Sequence, residues 1–240
     1  RRNSMIERPS ANFDDRSRAI DMLVLHYTGM ESAQAALDHM CDPAAKVSAH
    51  YLVDEAGEVT ALVPEDKRAW HAGAASWAGV TDINGCSIGI EIANPGHESG
   101  SPPYAAPQMA ALEALAGEIV ARHGIARLRV LGHSDVAPLR KRDPGERFDW
   151  RRLARAGIGA WPDELAARAA SPGFSLGDTG EGVGEFQKSL TRFGYAAVAD
   201  GAYGDVTQAI VVAFQRHWRP ANVDGVADGQ TRAILRALQD

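Results

Sequence analysis

Apolar positions along this chain follow mixed strand and helix rhythms at first and purely helical ones near the end. Residues 5–20 are polar and irregular, with Pro9, Asn12, Asp14 and Asp15, and read as an extended N-terminal arm. Met22-Leu23-Val24-Leu25 is a short apolar run typical of a buried strand, and it stops at His26-Tyr27-Thr28-Gly29. Residues 31–41 have helical composition. Two β-rich runs, 50–54 and 58–63, flank Glu55-Ala56-Gly57 and predict a hairpin. The stretch 66–85, rich in Trp, Gly and Ala, has no period and predicts a long loop of the kind that often carries function. Ser87–Ile92 alternates around three isoleucines and predicts a strand, and 94–106 predicts a Pro/Gly/Ser-rich loop. The stripe Met109, Leu112, Leu115, Ala116, Ile119 predicts a helix over 107–123, opened by Pro107 and stopped by Gly124. Val130-Leu131 is a brief strand leading into Gly132-His133-Ser134-Asp135, and 161–170 has a helical pattern.

Strands alternating with helices, plus one hairpin, predict an α/β fold with a mixed central β-sheet flanked by helices. Ser171-Pro172-Gly173 marks a linker. Three short helical patterns follow, at 181–193, 205–217 and 228–239, separated by the Asp-Gly turns at 200–201 and 224–225. They predict a small three-helix domain with a weak internal repeat. The expected division is an arm over 1–20, a larger domain over 21–170 and a helical domain over 171–240.

Composition narrows the partners. The 240 residues are 45% hydrophobic and 23% charged, a globular profile with enough chain to bury a core. The net charge of −6, with short basic runs beside acidic residues, argues against a nucleic-acid partner. No apolar run is long enough to span a bilayer, so no integral membrane segment is expected. Cys41 and Cys86 are too few for a disulfide framework and form no CxxC pair, so free thiols are expected. No secretory signal is visible in the chain as given, and Arg1–Ser4 reads as a remnant before Met5 or the flank of a processing event.

Candidate chemistry gathers at segment ends. His26 and His133 each follow a predicted strand, and Asp143 precedes Pro144, whose ring biases it to an extended backbone. Three protein ligands leave one open position, the pattern of a catalytic zinc site. Such a donor set would also admit cobalt or manganese. Each residue taken singly is more often structural, so the weight lies on the combination. Glu91 sits among isoleucines that face the core, so it points to the other sheet face, either to solvent or into a cleft as a proton acceptor beside the metal. Lys141 lies two residues before Asp143 and would point the same way, where a cation could stabilise an oxyanion. Trp70 and Trp77, with His71 between them, could line a sugar or peptide groove, and Tyr51 is grouped with them as a substrate contact. His50 reads as core or supporting, and His39, His97 and His123 as surface residues. The HExxH motif of the commonest zinc peptidases is absent.

Six motifs then occur in order: Leu25-His26-Tyr27-Thr28, Ser48-Ala49-His50-Tyr51, Ala69-Trp70-His71-Ala72-Gly73, Ser87-Ile88-Gly89-Ile90-Glu91, Gly132-His133-Ser134-Asp135 and Lys141-Arg142-Asp143-Pro144-Gly145. Over residues 20–160 the chain resembles the type 2 N-acetylmuramoyl-L-alanine amidases, relatives of the phage lysozyme-amidase and the peptidoglycan recognition proteins. The resemblance implies one Zn2+ per chain on His26, His133 and Asp143, with Glu91 as catalytic acid/base and Lys141 as oxyanion partner. It implies hydrolysis of the amide between N-acetylmuramic acid and L-alanine in peptidoglycan or muropeptides. The C-terminal segment resembles the peptidoglycan-binding type 1 module, carried by Val183-Gly184-Glu185-Phe186-Gln187, Asp200-Gly201-Ala202-Tyr203-Gly204 and Ala213-Phe214-Gln215. A peptidoglycan recognition protein that binds without cutting is the competing reading, and the complete ligand and acid/base set favours hydrolysis. The missing signal points to the cytoplasm and recycling of anhydromuropeptides. The binding module points outward, to the cell envelope or periplasm, and carries more weight.

Overall fold

The computed structural model describes residues 5–162 and 173–240. The helix expected over 161–170 lies, from residue 163 on, outside the described residues, as does the boundary expected at 170.

Six strands form the central sheet: β1 (Ile6–Glu7), β3 (Met22–Tyr27), β4 (Tyr51–Val53), β5 (Val59–Ala61), β7 (Ser87–Ile92) and β8 (Val130–Gly132). Their spatial order is β1-β5-β4-β7-β3-β8. Only β4 and β5 pair antiparallel, as the predicted hairpin; every other neighbouring pair is parallel. A separate antiparallel ribbon joins β2 (Phe13–Asp15) to β6 (Lys67–Ala69).

The N-terminal arm is therefore not irregular, and the expected 66–85 loop contains β6 and the short helix α2 (Ile83–Cys86). Two polar side chains of the arm, buried Asn12 and part-buried Arg16, donate to backbone carbonyls. The Asn12 amide donates to Asp42 O at 2.9 Å and Val47 O at 3.0 Å. The Arg16 guanidinium donates to the carbonyls of Gly85 at 2.8 Å, Lys67 at 2.7 Å and Ser87 at 3.0 Å.

Alternation along the strands separates two faces. Leu23, Leu25, Tyr51, Val53, Ile88, Ile90 and Ile92 pack with the stripe of helix α3 (Ala106–His123). On the other face Leu52 meets helix α1 (Ala33–Cys41). There too Met22, Val24 and Leu131 join a core that continues into the C-terminal helices. The short helices α4 (His133–Val136) and α5 (Trp150–Arg155) follow β8. Both cysteines are free thiols.

Helices α6 (Glu181–Phe193), α7 (Asp205–Trp218) and α8 (Gly229–Ala237) match the three predicted patterns closely. The internal repeat has a physical basis. The Gln187 amide donates to Asp200 and Thr207 and accepts from Gly201 N, fastening the turn between α6 and α7. Gln215 makes the corresponding bonds to Asp224, Thr231 and Gly225 between α7 and α8.

Candidate active site

The sheet register builds the site. β3 lies between β7 and β8, so His26 is the Cα partner of Glu91, and Gly132, the partner of Leu25, delivers His133 one residue later. Asp143 returns beside them because Ser134 N donates to its carbonyl at 2.9 Å. His26 Nδ1 and His133 Nδ1 lie 2.9 Å apart, and Asp143 Oδ2 sits 3.1 Å from the first and 3.0 Å from the second. All three residues are buried.

The partners behind the rings assign the tautomers. Ser87 Oγ donates to Ile83 O at 2.6 Å, so it accepts from His71 Nε2 at 3.2 Å. His71 Nδ1 is then an acceptor, and His26 Nε2, 3.0 Å away, donates to it. His133 Nε2 faces the Ala72 carbonyl at 3.0 Å and must donate. Both histidines therefore turn a bare Nδ1 lone pair towards the Asp143 carboxylate. Three converging lone pairs repel unless positive charge lies between them. A proton is a poor occupant: burial and the neighbouring His133 push His26 down to about 4. Burial would raise Asp143, and it is positive charge at the histidine nitrogens that draws its carboxyl well below the usual range. Two neutral imidazoles and a carboxylate suit a divalent cation, and among the described residues these three form a group able to hold one.

Glu91 reaches the same cleft from β7. Its Oε2 is sealed from solvent without a hydrogen-bond partner. Burial and the Asp143 charge push its carboxyl well above the ordinary value, and the Lys141 ammonium opposes them. The structure thus gathers His26, His133, Asp143, Glu91 and Lys141 at one end of the parallel strands.

The family model for N-acetylmuramoyl-L-alanine amidase matches residues 16–146. The amidase AmiD of Escherichia coli is 37% identical across 98% of this chain and 90% of its own length. This chain belongs to the N-acetylmuramoyl-L-alanine amidases. It is an amidase that hydrolyses the bond between N-acetylmuramic acid and L-alanine. AmiD solved with anhydro-N-acetylmuramic acid-L-Ala-D-gamma-Glu-L-Lys superposes with a TM-score of 0.78 at 36% identity, over 94% of this chain and 91% of that one. AmpDh3 of Pseudomonas aeruginosa, solved with anhydromuramic pentapeptide, gives 0.80 at 33% identity, over 100% of this chain and 96% of that one. The 1,6-anhydro-N-acetylmuramyl-L-alanine amidase AmpD of Enterobacter cloacae is 42% identical over 45% of this chain and 55% of its own length. A second family model, for a peptidoglycan binding domain, matches residues 179–235.

Three residues expected to contact substrate have side chains that the structure turns inward. Tyr51 lies on the α3 face, opposite Glu91, with its hydroxyl donating to Glu65 at 2.8 Å. His71 is buried behind His26 and fixes its tautomer. Trp77 is 2% exposed and packs edge-on against Phe193 and Tyr195. All three are aromatic residues near the motifs, but strand parity and the contact with the helices turn them inward. Trp70 is half-buried, its indole donating to Asp14 at 2.7 Å. His50, as expected, is core: its Nδ1 accepts from Gly89 N at 2.9 Å. His97 and His123 are not free surface residues. His97 links the Tyr27 hydroxyl and Glu146, each at 3.0 Å, and His123 pairs with Glu65 at 2.6 Å.

Proposed function

We propose that this amidase binds one zinc ion through His26, His133 and Asp143, uses Glu91 as acid/base, and acts on peptidoglycan-derived material in the cell envelope. The single observation that carries the reading is the convergence of three buried donor atoms, two of them on histidines whose tautomers are set by their outer partners. A zinc ion held there would supply Lewis acidity and lower the pKa of water. Glu91 sits beside the group with an unpaired oxygen and a raised affinity for a proton, so it can take one from water and return it to the leaving L-alanine nitrogen. Lys141 places a positive charge where the carbonyl oxygen gains negative charge. We read residues 1–20 as an arm, 21–170 as the catalytic domain and 171–240 as the wall-binding domain.

The envelope assignment rests on the match of residues 179–235 to a peptidoglycan-binding family. Among the described residues, no helix is long and apolar enough to cross a membrane. The relatives solved with anhydromuramyl peptides support soluble muropeptides as substrates beside the polymer. The test is mass spectrometry of intact peptidoglycan and of anhydromuropeptide after incubation, with and without chelator. Free peptides beginning at L-alanine, lost on chelation and regained with zinc, are expected. Release that survives complete metal removal would falsify the zinc reading. Preference for the soluble fragment over the polymer would favour a recycling role.

A further inference from the structure

Asp135 is not used by the proposed chemistry, yet it is fully buried and bound from two directions. Its Oδ2 accepts from Gly132 N at 2.7 Å, closing the turn that carries His133. The same oxygen accepts from His217 Nδ1 at 2.7 Å, and Oδ1 accepts from the Tyr195 hydroxyl at 2.9 Å. His217 and Tyr195 both belong to the C-terminal helical region. His217 lies parallel between Trp150 and Trp218, each ring centroid 3.7 Å away, so its direction is fixed. Tyr195 is held against Trp77 at 4.9 Å. The turn that Asp135 closes holds two of the three ligands: His133 stands on it, and Ser134 N donates to the carbonyl of Asp143. The preceding residue on α7, Arg216, reaches Glu146 at 3.6 Å and so, through His97, touches Tyr27 beside His26.

We propose that the helical region is a working part of the metal centre, with His217 and Tyr195 as positioning residues that act through Asp135 on the turn carrying His133 and Asp143. A wall-binding module joined only by a linker would have no need to satisfy a buried carboxylate of its neighbour. Here two of the three donors to that carboxylate come from the C-terminal region. Their loss leaves the buried carboxyl of Asp135 with Gly132 N alone of these three donors, one turn from the ligands.

This inference rests on the zinc reading, and its readout is metal affinity, not turnover. The full chain would be stripped of metal and titrated with zinc against a competing chromophoric chelator. His217→Phe keeps the stack between the two tryptophans and removes the donor; it is expected to weaken zinc binding about tenfold or more. His217→Asn returns a donor near the Nδ1 position and is expected to restore most of that loss. Tyr195→Phe, which lacks one hydroxyl and keeps the ring packing, is expected to weaken binding several-fold, and it decides the matter should His217→Phe not fold. Native affinity in a folded His217→Phe, or in Tyr195→Phe, overturns the proposal while leaving the zinc site standing. A native chain that takes up no zinc overturns both.

Discussion

At the scale of single residues, burial raises both site carboxyls, and their neighbours then drive them in opposite senses. Glu91 is raised by desolvation and the Asp143 charge, whereas positive charge at the histidine nitrogens draws Asp143 down. A base must lose its proton before it acts, so kcat/KM should rise with pH along an acid limb lying above the ordinary carboxylate range. Glu91→Gln should cost about 10²–10⁴ in kcat with zinc content unchanged, measured by steady-state kinetics and metal analysis of the same sample. A variant that kept most of its rate would remove Glu91 from the acid/base role. Ser87→Ala tests the tautomer assignment: His71 loses its outer acceptor, and zinc affinity should drop about tenfold with the fold intact. The proposed ligands stand in motifs that sequence displays, His26 and His133 at strand ends and Asp143 before a proline. The outer chain was not legible, since it ends on the carbonyl of Ile83, an atom that no sequence pattern marks.

Among the elements, those with a sustained period were legible and those without were not. Helix α3 and the three C-terminal helices show apolar stripes over several turns. Strands of two or three residues, such as β1, β2 and β6, are too short to show alternation, and they pair through backbone groups that sequence does not display. The burial of Tyr51 and Trp77 was hidden for a related reason, because a Trp or Tyr looks alike whether it faces a groove or a neighbouring helix. A polar cluster joins the exit of β5 to the end of α3. Glu65 accepts from Tyr51, Arg122 and His123 at 2.8, 2.9 and 2.6 Å. Burial alone would raise the Glu65 carboxyl, but these partners pull it down to about 2. A depressed folded-state value adds stability above the unfolded value, and that stability fades as pH falls towards 2. Glu65→Gln should therefore cost about 1–2 kcal/mol near neutral pH, with Arg122 discounted as half exposed, and the gap to the native protein should close below about pH 3. Chemical denaturation at several pH values measures it, and a gap independent of pH would contradict the assignment.

Over the whole molecule, the sheet and the C-terminal helices share one apolar core. Met22, Val24, Trp77 and Leu131 belong to the same cluster as Phe186, Phe193, Phe214 and Trp218. The sequence showed two family-like segments and nothing of this contact, because the residues that make it are ordinary apolar ones spread over both. A shared core predicts a single calorimetric transition, raised by zinc in proportion to the logarithm of its free concentration. Two well-separated transitions, one insensitive to zinc, would show that the halves melt independently.

The pairing of His26 with Glu91 across β3 and β7 has a consequence for how such a catalyst can change. Adjacent strands run about 4.8 Å apart in any sheet, so the gap between a ligand and the proposed base is set by the backbone and not by loops. Loops around the cleft are free to diverge and recruit new wall chemistries, while that gap works as a ruler with fixed markings. To alter it, β7 would have to slide by two residues, which keeps its isoleucines inward yet carries Glu91 past the end of its neighbour. Variation in this protein is therefore expected to fall on what is recognised, and to leave the working distance alone.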